Sequence, residues 1–278
     1  MRRQSWLALA LLAGCASASS PPFAPDAVPN DTIVVPAPSS SGWTPVATSS
    51  ARPTPARPPR PSSLEGCVAE LRAAPLGPPS VDSELYLRAL GDEQRSQLAD
   101  ARKAYLKLIQ DFPQSLYIPP AYLAFGEMFM LDAVADPSKW ELARMAYLKV
   151  LEYPPEKTPV SAYARLRVSE SFLRTGNADR ALDMARRSAM VTDDRLPCIG
   201  EIHRAAIALA VEAYATSGRP ERAQTFFKTF VTTVDELDQA MIDLGKRYAA
   251  TDRRPVCTLL ASGVSPSVKQ ALDPACSP

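Results

Sequence analysis

The chain has 278 residues, 46% of them hydrophobic, and its 31 basic side chains against 30 acidic ones leave a net charge of +1. That balance gives no pointer to nucleic acid, and none is expected as a partner. With one histidine and no G-x-S-x-G, phosphate-loop or H-E-x-x-H motif, no catalytic residue, metal or cofactor is expected.

In chain order, the first element is an apolar run of eight residues, Trp6 to Ala13, behind Arg2 and Arg3. A membrane-spanning helix needs about 20 residues, so the run reads as the core of a signal peptide. It ends in Leu12-Ala13-Gly14-Cys15, which resembles the lipobox of bacterial lipoproteins. The resemblance implies a signal peptide over 1–14 and lipidation of Cys15, whose thiol is the nucleophile able to carry a diacylglycerol. Acyl chains contribute about 0.8 kcal/mol per buried CH₂, and two or more give stable anchoring. Ala16 stands where an aspartate would signal inner-membrane retention in the Gram-negative lipoproteins this start resembles. The resemblance therefore implies a lipid anchor on the periplasmic face of the outer membrane.

Residues 15–63 hold the cysteine and a stretch rich in proline and serine, with twelve of the 28 prolines between Pro21 and Pro61. Proline removes backbone donors and fixes φ, so helix and sheet are excluded and a disordered, semi-rigid tether is expected. At about 3.1 Å per residue its upper reach is on the order of 150 Å. Arg52, Arg57 and Arg60 near its end have no acid between them. They read either as solubilising charges of a linker or as a contact with anionic cell wall or lipid headgroups.

From Leu64 the composition turns to alanine, leucine, tyrosine and arginine, with prolines at the joints. Apolar periodicity predicts helices near 81–90, 94–112, 119–134, 138–152, 159–175, 177–191, 198–217, 220–233 and 235–250. These form a domain over 64–252, and a tail over 253–278 has one or two helical turns near 256–272.

Two stretches repeat. "ARKAYLK" from Ala101 and "ARMAYLK" from Ala143 share six of seven residues. "TGNADRA" from Thr175 and "SGRPERA" from Ser217 each place a glycine five residues before an alanine. The glycine suits a turn with positive φ, and the alanine suits close helix packing. Phe129, Phe172 and Tyr214 fall in register, as do Ala143, Ala181 and Ala223. Together with the run from Tyr105 to Phe129, these motifs resemble tetratricopeptide repeats over roughly residues 82–250, with a period longer than the usual 34 or so. The resemblance implies an all-α fold: a right-handed solenoid of antiparallel helix pairs that presents a concave groove to a partner segment. It extends as a class to the helical lipoproteins of Gram-negative envelopes, of barrel-assembly, Tol–Pal coordinator or pilotin type.

Glu127, Glu170 and Glu212 each lie two residues before a registered aromatic. They read either as a ladder of carboxylates on the groove, selecting a basic or polar peptide, or as solvated helix formers. Tyr122 and Tyr163 would add flat contact area. Cys67, Cys198, Cys257 and Cys276 admit three disulfide pairings, or free thiols; Cys257 with Cys276 is the local choice, leaving Cys67 with Cys198. His203 reads as an ordinary helix residue rather than a ligand or base. The expected function is binding of another envelope protein, in assembly of an outer-membrane, motility or secretion machine. The alternative is an accessory that holds peptidoglycan near a wall enzyme.

Overall fold

The computed structural model describes residues 63–191, 198–251 and 253–276. The expected signal peptide, Cys15 and the expected tether through residue 62 lie outside the described residues. Among the described residues the fold is all-helical, with no strand. The α-helices are α1 (Leu64–Ala73), α2 (Val81–Gln94), α3 (Leu98–Asp111), α4 (Ile118–Ala133), α5 (Lys139–Val150), α6 (Ser161–Arg174), α7 (Ala178–Ala189), α8 (Ile199–Ser217), α9 (Ala223–Phe227), α10 (Val234–Ala250), α11 (Arg254–Ser262) and α12 (Pro266–Cys276).

Local chemistry sets the boundaries. Asn177 accepts from the Arg180 amide at 3.2 Å and caps α7, and Thr233 accepts from Glu236 at 3.1 Å and caps α10. Pro119 and Pro120 occupy the first turn of α4, where amide donors have no intrahelical partner. Gly176 closes α6 at φ 78, with Asn177 donating back to the Phe172 carbonyl at 2.8 Å. Gly218 has φ −79, so its reason is contact rather than conformation: a Cβ there would strike the Tyr214 ring.

The helices differ from the sequence expectation in four places. α1 stands ahead of the first predicted helix, capped by Ser63 and carrying Glu65 in its first turn and Arg72 in its last. The stretch 94–112 is broken at Ser96, which adopts φ 62 and closes α2 with Gln97 donating to Asp92. The stretch 220–233 shrinks to a tight turn and the five-residue α9; just beyond it the Thr229 hydroxyl donates to the Phe226 carbonyl at 2.7 Å. The tail is two helices, α11 and α12, packed on α10, with Leu272 against Gly245.

Consecutive helices pack on one another: α2 on α3, α4 on α5, α6 on α7 and α7 on α8. Ala101, Ala143, Ala181 and Ala223, the small residues of the repeated stretches, are all fully buried. One apolar cluster joins Tyr86, Tyr105, Leu108, Tyr117 and Met128; a larger one runs from Cys67 to Cys276. Cys67 bonds to Cys198 with Cα atoms 5.6 Å apart, and Cys257 to Cys276 at 5.3 Å. The first bond fixes α1 to the head of α8, on which α1 packs.

Candidate functional site

The polar interior is built twice on one plan. Tyr105 of α3 donates to Glu93 of α2 at 2.9 Å, and Arg72 of α1 grips the same carboxylate with two donors at 2.8 and 2.6 Å. Tyr147 of α5 donates to Glu127 of α4 at 2.8 Å, and Arg167 of α6 grips it at 2.9 and 2.6 Å. Tyr105 and Tyr147 are the matching tyrosines of the two "AYLK" stretches. The matching arginines also behave alike: Arg102 lies over the Phe129 ring at 5.9 Å and Arg144 over Phe172 at 4.5 Å.

Paired guanidinium–carboxylate contacts are charge-assisted and directional. Burial works to lower the pKa of Arg72 and of Arg167, but the hydrogen bond and charge of Glu93 and Glu127 outweigh it and raise both. Burial, then the Glu127 charge, pushes the Tyr147 hydroxyl well above 10. These tyrosines are neutral donors at physiological pH.

Two cavities flank this network and share Arg72, Glu127, Arg167 and Glu170. The first, about 430 Å³, lies between α1, α4, α6 and α8; Leu64, Val68, Leu166 and Leu209 form its apolar wall. The second, about 610 Å³, opens beside Met130, Leu131, Val134, Trp140 and Arg174. Both volumes fall within the range of small-ligand or side-chain pockets. A third hollow, about 450 Å³ and nearly all apolar, sits between α4 and α5 among Phe125, Phe129, Leu142 and Met145.

The three predicted acids lie on α4, α6 and α8, and none of them is a free acid. Glu127 is held by Arg167 and Tyr147, and Glu170 by Arg167 at 2.6 Å and Arg174 at 3.8 Å. Glu212 stands apart from both shared cavities and meets Arg247 of α10 at 3.1 Å. The reason is the arginine content of the same helix faces, which spacing of acids alone does not reveal. Tyr163 lines the first cavity, whereas Tyr122 lines the apolar hollow, so the structure separates the two tyrosines. Sequence reasoning missed Arg72, Glu93 and Arg167; the repeated "AYLK" tyrosine seeking a buried acceptor is a signal for Glu93, whereas no such signal points to the two arginines.

His203 is buried, its Nδ1 2.9 Å from the Ala189 carbonyl and its Nε2 3.3 Å from Glu236. It ties α7, α8 and α10 together and faces none of the cavities described above. Among the described residues no cluster of three or more His, Cys, Asp or Glu is placed to hold a metal, and no helix is long and apolar enough to cross a membrane. No protein-family model, no curated protein and no solved structure matches this chain.

Proposed function

We propose that this chain is a lipid-anchored periplasmic scaffold that binds another envelope protein and catalyses nothing. In this reading Cys15 carries the lipid at the outer membrane and the proline-rich stretch is a disordered tether. The helix pairs stack as a right-handed solenoid of tetratricopeptide type, and the partner docks on the face shared by α1, α4 and α6. The process served is assembly of an outer-membrane, motility or secretion machine. The observation that carries the reading is the pair of open cavities around one Arg–Glu network, lined by residues from helices far apart in sequence. Concave, mostly apolar sites with a few fixed polar groups are what side chains of a partner enter.

Crosslinking in living cells, followed by purification and identification of the bound proteins, tests the reading. Recovery of an envelope assembly component supports it. Recovery of cell-wall fragments or wall enzymes instead supports the accessory role suggested by Arg52, Arg57 and Arg60. Cys15→Ala should release the protein into the soluble periplasmic fraction; continued outer-membrane fractionation would count against the anchor.

A further inference from the structure

We infer that the cavity walled by α1 binds a primary ammonium group on an aliphatic stem, the chemistry of a lysine side chain. The inference rests on the scaffold reading and names the chemistry of one anchor at that site. The cavity has the two halves such a group requires. Leu64, Val68, Leu166 and Leu209 provide an aliphatic wall, and Glu65, Glu170 and Tyr163 provide oxygen acceptors.

Two of these acceptors are unused by the protein and the third is used in part. Glu65 forms no ion pair or hydrogen bond among the described residues, and the Tyr163 hydroxyl, on a side chain only 6% exposed, has no hydrogen-bond partner among them. The ring is packed away while the residue lines the cavity, so the hydroxyl is open to a partner that enters it. Glu170 gives one oxygen to Arg167 at 2.6 Å, while the other meets Arg174 only at 3.8 Å.

The charge on the wall points the same way. Arg72 is neutralised by Glu93, which lies outside this cavity. Arg167, with Arg174 at 3.8 Å from Glu170 outside the cavity, then stands against Glu65, Glu127 and Glu170, which leaves one carboxylate in excess. An excess of carboxylate beside low-dielectric aliphatic surface repels anions and rejects a plain apolar side chain less strongly than it favours a cation. Glu127 is already gripped by Arg167 through two donors, so the open acceptors are separate oxygens. That arrangement matches the three diverging donors of an ammonium better than the flat fork of a guanidinium.

The test uses the full chain with ¹³C-labelled tyrosine rings and three capped probes: N-acetyl-lysine methylamide, its norleucine counterpart and its arginine counterpart. The lysine probe is expected to bind more tightly than either of the others and to shift one tyrosine resonance that Tyr163→Phe removes. Glu65→Gln, at an exposed position free of contacts, should weaken lysine binding roughly tenfold, as loss of a charged hydrogen bond does. Adding Glu170→Gln should weaken it further. 1,5-Diaminopentane separates the sources: equal affinity assigns the site to free polyamines, and weaker affinity assigns it to a protein lysine. Equal or tighter binding of norleucine or arginine, an unmoved Tyr163 signal, or no binding at all overturns the inference. None of those outcomes touches the scaffold reading, which fails separately if crosslinking recovers no envelope protein.

Discussion

Arg167 of α6 reaches across to α4 and binds both oxygens of Glu127, forty residues earlier in the chain, at 2.9 and 2.6 Å. Both side chains are about one-fifth exposed, so water screens the pair little. Removing Arg167 would leave Glu127 facing Glu170 with the shared cation gone. Arg167→Ala is therefore expected to cost about 3–5 kcal/mol, measured as a shift in the urea unfolding midpoint. Arg247→Ala, which breaks the exposed contact with Glu212, should cost less than about 1 kcal/mol.

Gly126 precedes that glutamate, and the Tyr147 ring lies where its Cβ would be. Gly126→Ala should therefore be destabilising by about 1–3 kcal/mol despite the better helix propensity of alanine. Thermal unfolding of the single variant checks this. A gain in stability would mean that α4 and α5 pack less closely than described.

The acid limb of the stability curve should carry the signature of Asp82. The Ser115 hydroxyl, and then that of Ser80, donate to its carboxylate and hold it below its ordinary value of 3.8. A depressed folded pKa stabilises the native state fully above the unfolded value. That contribution disappears as pH falls through the folded one. Wild type should thus exceed Asp82→Asn in melting temperature at pH 6, with the gap closing below pH 3.8. A gap that widens on acidification would contradict the assignment.

How much of this was legible beforehand differs by level. The apolar period located most helices, because each buries a continuous stripe, as the fully buried Ala101, Tyr105 and Leu108 of α3 show. The short α1 was illegible: it has ten residues, includes Gly66, and precedes Pro75, Pro78 and Pro79. The register of Glu127 and Glu170 could be read, but their neutralisation could not. It depends on Arg167 arriving from α6, and nothing in the spacing of acids encodes which cation the packing delivers. The Tyr–Glu–Arg unit escaped for the same reason, its members being 12, 20, 21 and 40 residues apart.

The two disulfides should not be equivalent. In the chain-entropy account, a cross-link closing a loop of about 100 residues contributes about 4–5 kcal/mol and one closing about 15 residues about 3. Their separations here are 131 and 19. Cys67→Ser with Cys198→Ser is expected to lower stability more than Cys257→Ser with Cys276→Ser, read from denaturant midpoints of the two double variants.

The Cys67–Cys198 bond also redraws the mechanical layout of the molecule. Tension applied through the residues preceding α1 reaches Cys67 and can pass directly into α8, without travelling through α2 to α7. Those six helices sit inside a closed covalent ring, so a pull from the amino-terminal side cannot unravel them one after another. A body tied to a surface through that end would bear its load at α8, and the helices carrying the Arg167 network would be spared the strain.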